Sequence, residues 1–336
     1  MKKQIIISLT LVTILSCTKT IKFDDQGLAN QLVLNSIIYP NMSFSAYLTK
    51  SSSILEPATS TGQFTDGTLE LYENGALIKQ IYSPTGNFLA DDIKPEAGKT
   101  YRIEVTSNGK KLEAETTIPN PTDVVSLDTL TIKNQFGQKG IKYTLKFKDP
   151  SGNDYYRIVL IKESLNFSSY TSDNGKRRYM LSTSLNSIDS DDPVFKSVYN
   201  NFGDELINYG PSNDYFIFPD AYFQGKEYAL HFQVSANGFS NGYYPSGGSN
   251  CIYERNVIHI QKLSKDLYNY LKYLKLYNNY HDDPFSEPVP VYSNVSNGIG
   301  IFAGFNDDSQ YSFEKIYIPY SMDTITVEDN PYPSSY

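Results

Sequence analysis

The chain has 336 residues and 29 basic against 37 acidic side chains, a formal net charge of −8, with 29 Tyr, 18 Phe, no Trp and two Cys. It lacks the clustered Lys and Arg that neutralise phosphate or hold an anionic bilayer, which excludes nucleic acid as a partner and a polybasic membrane surface. The length accommodates two domains with their own cores, two cysteines exclude a disulfide framework, and the Tyr bias favours sheets with partly exposed faces.

Residues 1–16 read as a lipoprotein signal peptide. Met1, Lys2 and Lys3 are its positive start, Ile5 to Leu15 an apolar run too short to span a bilayer, and Ser16 the small residue before the cut. Ile14-Leu15-Ser16-Cys17 forms a lipobox, so Cys17 is the expected lipidation site and the membrane is reached through an N-terminal lipid. An ordinary secretory signal that happens to contain a cysteine is the alternative. Without Lys2 and Lys3 the balance is 27 basic to 37 acidic, a net charge of −10. Cys251 is then the one remaining thiol, with no neighbouring His to activate it. Residues 17–29 are short and polar and read as a tether.

Residues 30–120 carry the pattern of an immunoglobulin-like β-sandwich. Leu32 to Asn35 and Ser43 to Leu48 are short strands. Gly67 to Glu73 and Ala76 to Tyr82 flank an Asn74-Gly75 hairpin turn. Thr100 to Thr106 and Leu112 to Ile118 flank Ser107-Asn108-Gly109, with Tyr101, Ile103 and Val105 on one face. Pro119-Asn120-Pro121 marks the boundary.

Residues 121–336 predict a second β-rich, sandwich-like domain, elaborated by an insertion and one amphipathic helix. Val124 to Ile132, Ile141 to Lys148 and Asp154 to Ile161 are strands. Residues 164–213, rich in Ser, Asn, Asp and Tyr, read as a long excursion from the sheet, functional or loosely ordered. Strands resume at Tyr215 to Phe218 and Lys226 to Val234. A helix is expected over about 264–280, capped by Ser264, with Leu263, Leu267, Leu271 and Leu274 on one stripe and Lys265, Lys272 and Lys275 facing away. Ile299 to Phe305 and Glu314 to Pro319 close the fold.

The search for chemistry returns little. His231, His259 and His281 have no metal-ligand spacing, and no nucleophile elbow, phosphate loop or dinucleotide fingerprint occurs, so no catalytic residue, metal ligand or cofactor is assigned. His231 reads as a surface residue opposite Leu230 and Phe232. His281-Asp282-Asp283 reads first as a solvated cap at the helix C-terminus. Asp189, Asp191 and Asp192 resemble a fragment of a calcium loop without its closing Glu. The glycines among 298–304 lie in an apolar strand, where crowding of backbones explains them best. Asp128-Thr129-Leu130 and Asp323-Thr324-Ile325 match a short glycosylation pattern of exported proteins. The absence of Trp weighs against a glycan-stacking platform.

One resemblance spans nearly the whole mature chain. It is carried by Cys17 with Ile21 to Asp24, Leu32 to Asn35, Leu69 to Gly75, Gly98 to Val105 running on to Ile118-Pro119, Asp192 to Phe195, Phe218 to Lys226, and Pro284 to Pro288 through Ser293-Asn294-Val295 to Phe302. Together these segments resemble the domain of unknown function 4249 family, exported lipoproteins of the Bacteroidota. The resemblance implies a β-rich lipoprotein of the outer membrane, accessory to a TonB-dependent receptor, and implies no active site, so only Cys17 carries a role across. Asp24 and Asp25, soon after that cysteine, favour the cell surface over the periplasmic face. The expected function is non-catalytic binding or accessory work in nutrient or peptide capture. The alternative is a free-standing adhesin or ligand-binding module, using tyrosine-lined loops such as Phe239 to Tyr244.

Overall fold

The computed structural model describes residues 31–52, 63–133, 139–171, 177–199, 213–234, 251–280, 289–316 and 327–328. Cys17, Asp24, Asp25, Phe239 to Tyr244, His281 to Asp283 and Asp323 to Ile325 lie outside them.

The chain is mainly β. Its first part forms β1 (Leu32–Ile38), β2 (Phe44–Lys50), β3 (Gln63–Phe64), β4 (Gly67–Glu73), β5 (Ala76–Ser83), β6 (Asn87–Ala90), β7 (Thr100–Ser107) and β8 (Lys110–Thr117). The second part adds β9 (Asp123–Lys133), β10 (Lys139–Lys148), β11 (Tyr155–Thr171), β12 (Arg177–Leu185), β13 (Ile188–Asp189) and the short helix α1 (Pro193–Lys196). It continues with β14 (Ile217–Pro219), β15 (Glu227–Val234), β16 (Cys251–Leu263), helix α2 (Lys265–Tyr280), β17 (Ile299–Ile316) and β18 (Val327–Glu328).

Local chemistry explains the hairpins. Asn74 and Gly75 both take positive φ, 48° and 86°, as do Asn108 and Gly109 at 50° and 74°, the backbone that a two-residue turn between twisted strands requires. The expected face of β7 is the buried one: Tyr101, Ile103 and Val105 are sealed from solvent.

A ten-stranded sheet runs through the molecule in the order β18-β12-β11-β16-β17-β1-β2-β3, with β14 pairing β11 and β6 pairing β2. Among the described residues, two four-stranded sheets, β5-β4-β7-β8 and β13-β15-β10-β9, accompany it. One core gathers Leu32 and Leu34, Phe44 and Leu48, Leu69 and Leu71, Ile103, Leu112 and Phe302 from both layers. The other gathers Tyr143, Phe147, Leu230 and Phe232 against Tyr156, Ile158, Ile258 and Ile260, and joins α2 through Leu267, Leu271 and Leu276.

Alternation along β17 ties the cores together. Phe302 enters the first core, while Ile301 and Ala303, on the opposite face of the strand, belong to the second. The segment before β17 also returns to the first part: Ser296 bridges Glu113, and Asn294 Nδ2 donates to Glu115 O at 3.3 Å. Near-contact of backbones accounts for Gly300, whose φ is +127° and where a Cβ would lie 2.0 Å from Leu34 O.

The strands depart from the sequence reading in three places. Residues 164–171 and 177–185 do not leave the sheet; β11 and β12 pair in register from Ile161↔Leu185 to Phe167↔Tyr179, extending it. β16 was not foreseen, because its Glu, Arg, Asn, His, Gln and Lys break any simple alternation, yet it lies between β11 and β17. The two closing strands are one, Ile299–Ile316.

Helix α2 begins where expected. Ser264 Oγ accepts from Leu267 N at 3.2 Å and from Gly304 N at 3.2 Å, capping the helix and pinning it to β17. The buried stripe is Leu267, Tyr268, Leu271 and Leu276, with Leu274 half-buried. Lys272 and Lys275 are not turned to solvent as expected: burial pulls the Lys272 ammonium below its ordinary value, and Lys275 pairs with Asp214.

Candidate functional site

A groove of about 640 Å³ opens where the two parts of the chain meet. One wall is the linker, Gly98 and Thr117 to Pro121, with Asp123. The other is the β10–β11 turn, Lys148 to Ser151 and Asp154, and Lys262 of β16 completes it. Asn306 Nδ2 donates to Pro119 O at 3.0 Å, holding the linker to β17. The groove has the size of small-ligand sites, and its Pro and Ile surfaces alternate with carboxylates, lysines and hydroxyls.

Asp149, Asp154 and Asp220 converge beside this groove, each offering an oxygen within 4.8 Å of the others. The connection between β10 and β11 carries the first two, Asp149 at its start and Asp154 just before β11, and the turn after β14 carries the third. Asp149 and Asp220 are buried, and Asp154 is partly exposed. Lys262, whose side chain is 7% exposed, places its Nζ 2.9 Å from Asp154 Oδ2, so the cluster contains a cation of its own.

The carboxylate oxygens are engaged by neighbouring donors. Tyr156 Oη donates to Asp149 Oδ1 at 2.5 Å, Gly225 N to Asp149 Oδ2 at 2.8 Å, and Asp154 N to Asp220 Oδ2 at 3.0 Å. Burial raises the Asp220 pKa, with Asp149 and Asp154 adding like-charge repulsion. Burial and then the bond to Asp149 push the Tyr156 phenol far above its ordinary value. Three carboxylates at this spacing could hold a hard cation or pass a proton. Their bonds to Tyr156, Gly225 and Asp154 N also fix three turns of the second part to one another.

The Asp189, Asp191 and Asp192 group does not converge. Asp189 accepts from Gln233 Nε2 at 2.8 Å, and exposed Asp191 pairs with Lys196 at 3.3 Å. Asp192 is buried as the N-cap of α1, accepting from Val194 N at 3.3 Å, Tyr228 Oη at 2.6 Å and His231 N at 3.1 Å. A depression of about 270 Å³ lies over them. His231 is exposed, as expected, with Nδ1 3.1 Å from Thr144 Oγ1. His259 Nδ1 faces Asp307 Oδ2 at 2.9 Å across β16 and β17. Thr129 is exposed on β9.

The sequence reading did not bring Asp149, Asp154, Asp220 and Lys262 together. The Phe218 to Lys226 segment stands out in the sequence and the Asp149 to Gly152 turn does not, and the strands that juxtapose them pair over long separations.

A family model described as a domain of unknown function, DUF4249, matches residues 18–311. No curated protein matches the sequence. Among solved structures, a rhamnogalacturonan lyase, YesW, is similar at 13% identity with a TM-score of 0.18, over 70% of this chain and 51% of the lyase. The chain thus spans about half the length of that protein, and a likeness this distant carries no functional argument.

Proposed function

We propose that this chain, which belongs to the DUF4249 family, is a lipoprotein anchored to the outer membrane through Cys17, acting as a non-catalytic binding or accessory component beside a TonB-dependent receptor in nutrient or peptide capture. The observation that carries the reading is the leader ending in Ile14-Leu15-Ser16-Cys17. Asp24 and Asp25 favour the cell surface. An acidic protein without a basic patch needs the lipid for attachment.

The groove supports a binding role at this location. Its polar groups come from several elements, and the neighbouring carboxylates, bonded to internal donors, hold that side of the groove in shape. A free-standing adhesin or ligand-binding module is the second reading, and the groove's size favours it.

Mild crosslinking in intact cells, followed by purification from detergent-solubilised membranes, tests the first reading. Recovery of a receptor barrel with the lipoprotein is expected. Recovery of the lipoprotein alone, with ligand affinity unchanged after deletion of the receptor, would favour the second.

A further inference from the structure

The N-terminal strand enters the central sheet in an unusual way. Val33 to Ile38 of β1 pair in parallel register with Ile299 to Gly304 of β17, while the other edge of β1 pairs antiparallel with β2 from Leu32↔Lys50 to Asn35↔Tyr47. β1 is therefore bonded along both edges. Its inward side chains Leu32, Leu34 and Ile38, with Phe302 opposite, are sealed from water. At Gly300 the two backbones come so close that no side chain fits.

We propose that the parallel β1–β17 pair is a tension-bearing clamp, which passes load from the N-terminal tether into the central sheet without opening the fold. The clamp rests on the anchored-lipoprotein reading for the source of its load, since the tether from Cys17 joins the strand at Gln31. In a parallel pair the N-terminal end of β1 lies beside Ile299, and β17 runs on to Ile316 at the opposite end. A pull on Gln31 resisted by the body of the sheet therefore acts along the strand axis. The slanted interstrand bonds are then sheared together, along with the buried contacts that keep water from them. Pulling the adjacent ends apart would break the same bonds one after another.

Single-molecule force spectroscopy on the full mature chain, in a Cys17→Ser, Cys251→Ser background, compares the two geometries. One variant is held at Gln31→Cys and at Ile316→Cys, the far end of β17, which shears the pair. The other is held at Gln31→Cys and Ser296→Cys, which peels it, because Ser296 shortly precedes Ile299, the strand end beside Val33. The rupture force in shear is expected to be at least about twice that in peeling, as forced unfolding reads the barrier and not the equilibrium. Equal forces would overturn the clamp. So would a shear trace in which another segment releases its length before β1 does. Urea unfolding of both variants at the parent midpoint establishes that the fold is intact. Neither pull involves a lipid, so absence of acylation at Cys17 would sink the anchoring reading while leaving both rupture forces as they are.

Discussion

Lys262 sets its ammonium 2.9 Å from the carboxylate of Asp154, with the side chains 7% and 21% exposed. With Asp149 and Asp220 close by, this one cation sits among three carboxylates. Removing it leaves like charges facing one another in a poorly solvated place. Lys262→Met is expected to destabilise the protein by about 3 kcal/mol, the usual cost of deleting one partner of a buried pair. Urea denaturation at pH 7 measures it, and a change within experimental error would refute the reading.

Asp220 gives this cluster a pH signature. Its folded-state pKa lies above its ordinary value of about 3.9 because of burial and then its neighbours. The native state therefore binds this proton more tightly than the unfolded chain does. The stability it contributes is fully present below the unfolded pKa and is lost as pH rises through the raised folded one. Asp220→Asn retains an acceptor for Asp154 N and removes the charge. The variant is expected to be at least as stable as the parent at pH 7 and to show a flatter stability profile on the acid side, measured by melting temperature across pH 3 to 7.

Ser264 does two jobs at one oxygen, accepting from Leu267 N and from Gly304 N. Ser264→Ala should cost about 1 to 2 kcal/mol, the upper range for a lost N-cap. Hydrogen exchange is expected to show faster exchange at both Leu267 and Gly304, whereas loosening of the helix alone would mean that the link to β17 is immaterial.

Phe302 lies in the first core although it comes from the last long strand. Phe302→Ala is expected to cost about 3 to 5 kcal/mol and to lower protection in β1, β4 and β7 together. Tyr101, buried with it and bonded to Glu73, has its phenol pushed up to about 12 and serves as a local optical probe of that core. Loss of protection confined to β17 would show that the first core does not depend on its return.

What the sequence made legible was local. Alternation found most strands of the first part, Asn74-Gly75 and Asn108-Gly109 found its hairpins, and Ser264 found the start of α2, since each signal sits within a few residues of its effect. The long-range pairings were not legible. Nothing in Leu32 to Ile38 says that it will lie parallel to Ile299 to Gly304, and β16 hides its place because polar residues interrupt its apolar ones. The cluster was missed for the same reason: Asp149 and Asp154 share one turn, but Asp220 and Lys262 reach it only through the pairing of β11 with β14 and β16. The role of Asp192 was equally hidden: the acidic run resembles a fragment of a cation loop without its closing Glu, while this carboxylate caps α1.

The central claim concerns Cys17, and intact mass spectrometry of the mature protein from membranes tests it most directly. The account predicts a chain that begins at Cys17 and carries acyl groups on that residue, with Cys17→Ser abolishing both the lipid mass and recovery in the outer-membrane fraction. A mature chain that begins elsewhere, or begins at Cys17 without added lipid, would contradict it.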